Sequence, residues 1–139
     1  MTWTYLNKEF LRREEVKISP FDRGFLFGDG VYEVIPVYEG IAFLLEDHIA
    51  RLSRSLNSTG IKYPQKWNDI PGIILELVKK NNFSNQSVYL QITRGEDSIR
   101  NHIPDPEVEP TLFITSSELK VNPFRLDPER KGLAVKTLE

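Results

Sequence analysis

The sequence has no cysteine and only two histidines, His48 and His102. Disulfides, thiolate catalysis and cysteine-ligated metals are therefore excluded, and the absence fits a reducing compartment. Two histidines far apart in the chain do not make a histidine-rich metal centre. Positive charge is not in excess either: 18 Lys and Arg stand against 20 Asp and Glu, a formal net charge of -2. Such a balance lacks the basic field that nucleic acid or an acidic membrane would select. Long hydrophobic runs are missing as well. The longest apolar cluster, around Ile70–Val78, is broken by Pro71, Gly72 and Glu76 and is too short to span a bilayer. Met1–Phe10 carries no apolar signal-peptide core, and no repeat or low-complexity tract occurs. A soluble cytoplasmic protein is the expectation.

What is present suffices for one compact domain. Apolar residues make up 40% of 139, enough for a real core. Thr4–Leu6 and Glu9–Arg12 flank Asn7-Lys8 as a hairpin. Val31–Tyr38 is rich in β-formers, with Pro36 predicting an edge position or a bulge, and Ile41–Leu45 is its returning strand. Leu45, Ile49, Leu52 and Leu56 recur at helical steps and predict a helix over Glu46–Leu56, with Glu46 and Asp47 at its positive end. Asn68 or Asp69 caps a second helix. Its apolar side is expected to be Ile73, Leu75, Leu77 and Val78, and Asn81-Asn82 ends it. Ser87–Thr93 and Thr111–Ser116 are strands, the latter central, joined by a long polar loop from Arg94 to Pro110. The fold class is α+β: a small domain with a mixed or mainly antiparallel sheet and two helices. Residues 1–118 form this domain, 119–128 a linker, and 129–139, including the strand Gly132–Leu138, the start of a second domain.

Three glycines, Gly24, Gly28 and Gly30, stand close together among Phe25, Leu26, Phe27 and Asp29, where the backbone is expected to bend sharply beside packed aromatics. This is not a nucleotide phosphate loop, because the Lys-Ser/Thr ending is absent and a strand follows.

Asp22-Arg23-Gly24-Phe25-Leu26-Phe27-Gly28-Asp29-Gly30-Val31-Tyr32-Glu33 resembles the signature of the pyridoxal-phosphate fold-type IV transaminases and lyases. His48-Ile49-Ala50-Arg51-Leu52, Thr93-Arg94-Gly95 and Arg100-Asn101-His102 extend the resemblance, in order, over nearly the whole chain. Among the family's branches, the Arg-x-His element resembles the D-amino-acid transaminases. An aminodeoxychorismate lyase or a branched-chain aminotransferase is the alternative within the family. A non-catalytic dimerisation domain is the alternative outside it.

The resemblance implies pyridoxal 5'-phosphate as cofactor and Arg51 as the ligand of its phosphate. An arginine's planar fork of donors suits a phosphate dianion. The plainer reading of Arg51 is a surface helix arginine paired with Glu46 or Asp47. The resemblance further implies that Arg100 and His102 grip the substrate α-carboxylate, reaching into a neighbouring subunit. Tyr32 is then a third donor, and Val34, on the same strand face, shapes the side-chain pocket. Pro36, next on that face, departs from the lysine often found there, and Ile99 stands where a proline is usual. Arg23, Asp29 and Arg94 are expected to be structural, His48 a packed or hydrogen-bonded histidine, and Glu33 uninvolved in acid–base work.

No stretch matches the family's Schiff-base lysine motif, which belongs to the second domain. Lys136 lies upstream of where that lysine would fall. The catalytic lysine is therefore expected beyond Glu139, with no catalytic residue in these 139 and no activity from them alone. The full-length protein is expected to transfer amino groups between D-amino acids and 2-oxo acids as a homodimer, with no metal, nucleic acid or membrane involved.

Overall fold

The computed structural model describes residues 2–62, 69–120 and 135–136. Six strands form one sheet: β1 (Trp3–Leu6), β2 (Glu9–Arg12), β3 (Gly30–Tyr38), β4 (Ile41–Ala42), β5 (Asn85–Thr93) and β6 (Thr111–Glu118). Their order is β2-β1-β6-β5-β3-β4, and every pairing is antiparallel, so the sheet is not mixed. β6 lies between β1 and β5, which agrees with a central position for Thr111–Ser116. The β1–β2 hairpin turns at Asn7, whose positive φ of 56° an asparagine tolerates.

Alternation along the strands separates two faces. On one face lie Val31, Ile35 and Val37 of β3, Val88, Leu90 and Ile92 of β5, and Leu112 and Ile114 of β6, all buried. Helices α2 (Leu45–Thr59) and α3 (Ile70–Asn81) cover this face and close the core. On the other face lie Tyr32 and Val34, both exposed.

Helix α2 extends a turn beyond the predicted Leu56 and stops where Gly60 adopts φ 63° and donates to the last carbonyls. Its stripe is as expected, with Leu52 and Leu56 buried and Leu45 and Ile49 packed against the core. Because Leu45 opens this helix, the returning strand shrinks to Ile41–Ala42. The cap of α3 is Asp69, whose carboxylate accepts from Gly72 N; Asn68, the alternative, lies outside the described residues. The apolar side of α3 needs correction: Ile70, Ile74, Leu77 and Val78 are buried, whereas Leu75 is exposed. A helix starting at Ile70 turns positions 70, 74, 77 and 78 inward together.

Pro36 sits neither in a bulge nor on an edge strand. It pairs with Ser87 in unbroken register, and its carbonyl accepts from Phe43 N, on the β4 side. Its missing N–H thus points toward the short β4 rather than into the β3–β5 ladder, so nothing is lost there. The larger correction is in the glycine-rich segment, which contains a third helix, α1 (Arg23–Phe27). Of the predicted linker and second-domain strand, 121–134 and 137–139 lie outside the described residues. No helix among the described residues is long and apolar enough to cross a membrane.

Candidate functional site

Two clusters of polar side chains gather Arg51 in one and Arg100 and His102 in the other, while Tyr32 and Val34 lie in neither. The first is built on β3 and α2. Glu33 falls on the buried face of β3, between Val31 and Ile35, and is 2% exposed. A carboxylate there requires partners, since an unpaired buried charge is costly. Arg51 and His48, three residues apart on α2, supply them. Arg51 Nε donates to Glu33 Oε1 at 2.7 Å and Nη2 donates to Oε2 at 2.5 Å. His48 Nδ1 lies 2.8 Å from the same Oε2.

Burial works to raise the Glu33 pKa, but the hydrogen bonds from Arg51 and His48, with their charge, outweigh it and hold the carboxyl below its ordinary value. Arg51 is held correspondingly higher, first by its hydrogen bond to Glu33, then by the Glu33 charge; Tyr32 acts in the same direction. Arg51 is therefore paired with Glu33 rather than with Glu46 or Asp47, the partners of its plainer reading. Glu33 presents a fixed carboxylate directly across from it.

The Arg51 side chain remains 59% exposed. It opens onto a cavity of about 390 Å³ lined by Leu44, Asp47, His48, Ala50, Arg51 and Arg54. Among the described residues, Arg51 Nη1 has no hydrogen-bond partner.

The second cluster is built on α1. Asp22 caps this helix by accepting from Gly24 N at 2.7 Å. The same carboxylate accepts from the hydroxyls of Thr93, at 3.0 Å, and Thr111, at 2.7 Å, which ties α1 to β5 and β6. A side chain at position 24 would collide with the Thr93 methyl, and Gly28 ends the helix at φ 66°. The expected bend is thus a capped single turn of helix pressed against the sheet.

Arg23 and Arg94 both bond the Asp29 carboxylate, Arg23 Nε at 3.0 Å and Arg94 Nε at 2.8 Å. The structural reading of all three agrees with this network. Burial again pushes the carboxyl upward, and the hydrogen bonds from Arg94 and then Arg23 overcome it, leaving the Asp29 pKa lowered.

Arg100 and His102 come together over one ring. The Arg100 guanidinium carbon lies 5.0 Å from the Phe27 centroid, and the His102 ring lies 5.4 Å from it, tilted 48°. Tyr32 does not join them. It stands on the open sheet face, 65% exposed, stacked on Tyr89 at 5.9 Å. Val34 shares that face and pairs directly with Tyr89. Among the described residues, no hydrogen bond, ion pair or ring contact links Arg100 or His102 to Tyr32 or Arg51. Lys136 is exposed and outside any regular element.

Two functional features escape a reading of the sequence. Glu33 has no role in that reading, although a glutamate on the apolar row of a strand is itself a signal that cationic partners must meet it. The place of Phe27 beneath Arg100 and His102 leaves no signal, because it depends on how the long loop returns to α1.

Comparison with known proteins agrees with this architecture. The model of the class IV amino-transferase family matches residues 30–138. The D-alanine aminotransferase of Staphylococcus haemolyticus is 37% identical over 113 residues, covering 81% of this chain and 40% of that enzyme. Among solved structures, the 4-amino-4-deoxychorismate lyase from Pseudomonas aeruginosa is 27% identical with a TM-score of 0.66, covering 88% of this chain and 42% of that one. The T.th. branched-chain amino acid aminotransferase, solved with N-(5'-phosphopyridoxyl)-L-glutamate, superimposes with a TM-score of 0.76 at 21% identity over 84% of this chain and 41% of that one. The chain thus spans about 40% of the length of the curated relatives it matches. With most of its length, residues 30–138, matched by the family model, the chain belongs to the class IV aminotransferase family.

Proposed function

We propose that these residues form the substrate- and phosphate-gripping part of a pyridoxal-phosphate-dependent D-amino-acid transaminase. The observation that carries the reading is the convergence of Arg100 and His102 on Phe27. Two donors, one of them permanently charged, face solvent from one short segment, as a carboxylate grip requires. The 37% identity to a D-alanine aminotransferase supports the D-specific branch.

The Arg51 cluster fits the cofactor's phosphate. Two of its nitrogens are locked by Glu33, so the guanidinium plane is set before any ligand arrives, and Nη1 remains to donate. Arg54 and His48 line the same cavity and add donors. Bound pyridoxal phosphate supplies the electron sink that lets an amino acid lose its α-proton. Arg51 would anchor the phosphate, while Arg100 and His102 fix the carboxylate and so decide which substrate face is presented. We propose that Arg100 and His102 act in a neighbouring subunit of a homodimer, where Tyr32 and Val34 of the open sheet face receive them. That placement is consistent with their separation within one chain.

We further propose that the Schiff-base lysine is not among these 139 residues and that they alone transfer no amino groups. The test is an assay of the full-length gene product with pyridoxal phosphate, 2-oxoglutarate and D- or L-alanine. Pyruvate from the D-isomer alone is expected. Turnover of 4-amino-4-deoxychorismate without turnover of D-alanine would replace this reading with the lyase.

A further inference from the structure

We infer that Arg23, buried beside α1, is the positioning residue of the Arg100–His102 segment, and that Phe27 is the seat on which both side chains rest. The inference depends on the carboxylate-binding reading of Arg100 and His102.

Arg100, Asn101 and His102 are all exposed, on a loop with no ladder of its own. A free loop would lose conformational entropy each time it closed on a ligand. Arg23 removes that freedom from beneath. It is 3% exposed, and its guanidinium donates to two successive backbone carbonyls, Nη1 to Asn101 O at 2.6 Å and Nη2 to His102 O at 3.0 Å. The guanidinium cannot turn, because Nε is bonded to Asp29 Oδ2 at 3.0 Å and Nη1 also reaches Asp97 Oδ2 at 3.4 Å. Asp97 Oδ2 in turn accepts from Asp105 N at 3.4 Å, which pins the returning limb of the same loop.

Phe27 lies four residues after Arg23, one turn on along the same helix face. Its ring is shared by three groups: Arg23 at 4.7 Å, Arg100 at 5.0 Å and His102 at 5.4 Å. The backbone is thus held by Arg23 and the two side chains by Phe27, and the Asp22 cap fixes both against the sheet. Lysine could not replace Arg23. A single ammonium is a point donor and cannot meet two carbonyls and two carboxylates lying in the directions of a planar fork.

A merely structural Arg23 would change stability and leave the folded grip as it was, so the test reads the grip. With only two histidines, imidazole NMR of selectively labelled protein gives one signal for His48 and one for His102, assigned through His102→Asn. In the wild type, the His102 signal is expected to be displaced by the Phe27 ring and to shift saturably with D-alanine. In Arg23→Lys, with the His48 signal native as the measure of folding, the displacement should vanish and D-alanine should bind about tenfold more weakly, the loss of roughly one charge-assisted hydrogen bond. Phe27→Leu keeps the Arg23 bonds and should weaken D-alanine binding similarly; it decides the matter if Arg23→Lys does not fold. Unchanged D-alanine affinity in the folded variants overturns the positioning role while leaving the carboxylate reading standing. No saturable response of His102 in the wild type overturns the carboxylate reading itself, and the positioning role falls with it.

Discussion

The Glu33 carboxylate, buried on the helix-covered face of β3, holds both the Nε and Nη2 edges of the Arg51 guanidinium, at 2.7 and 2.5 Å. The candidate phosphate ligand is therefore preset by a carboxylate that sits behind it on the buried face of the sheet. Glu33→Gln should keep the fold but let the Arg51 side chain swing. Affinity for pyridoxal phosphate should fall on the order of tenfold, because a displaced binding group loses most of its advantage. Isothermal titration of both proteins with the cofactor measures this; equal affinities would show that Arg51 needs no brace.

Acid should weaken this domain through two carboxylates. Glu33 and Asp29 both have folded pKa values below their ordinary ones, their burial outweighed by arginine hydrogen bonds. Between the depressed folded values and the unfolded values of about 4.3 and 3.9, the unfolded chain binds more protons. Stability therefore rises with pH across that window. It is fully present above the unfolded values and lost as pH falls through the folded ones. Urea midpoints measured against pH should show this slope, and Glu33→Gln and Asp29→Asn should each remove part of it.

Asp22 is 2% exposed and serves three donors at once, Gly24 N and the hydroxyls of Thr93 and Thr111. Asp22→Ala removes a helix cap and strands the buried Thr93 hydroxyl. The expected loss is about 2–4 kcal/mol, the sum of a cap near 1 kcal/mol and two hydrogen bonds with their unmet partner. Urea denaturation checks it. A loss below about 0.5 kcal/mol would mean that α1 is held mainly by packing.

Ile114 and Leu90 face each other across β5 and β6 at the centre of the sheet, both fully buried. Ile114→Ala should cost about 2–5 kcal/mol, the transfer of the lost methyls plus the cavity left among rigid strand neighbours. Phe25→Ala, at an exposed ring on α1, should cost far less. The comparison of the two unfolding midpoints tests where the core lies.

Much of this architecture is legible in the sequence because its signals are local. The steps of Leu45, Ile49, Leu52 and Leu56 mark α2, the Asn7-Lys8 turn marks the first hairpin, and the Asn68-Asp69 pair marks the start of α3, where Asp69 is the cap. The errors have equally local causes. Leu75 is apolar but sits on the wrong side of a helix that begins at Ile70. Pro36 signals an edge or a bulge, yet its missing donor merely faces the short β4. The one-turn α1 is too brief for any periodicity, and it exists because Asp22 reaches Gly24, Thr93 and Thr111, contacts that span the chain. At the site, the Arg51 and Arg100–His102 elements are visible as motifs. Their supports, Glu33, Arg23 and Phe27, become visible only once distant segments meet.

On the proposed reading, this chain grips a phosphate at Arg51 and a carboxylate at Arg100 and His102, at two separate places. Its two histidines report one place each: His48 beside Arg51 and His102 beside Arg100. Titrating the labelled protein with pyridoxal phosphate should shift the His48 imidazole and leave His102 unmoved, and the shift should disappear in Arg51→Gln. D-alanine should do the reverse. A phosphate response that survives Arg51→Gln, or a single ligand that moves both imidazoles alike, would contradict the account.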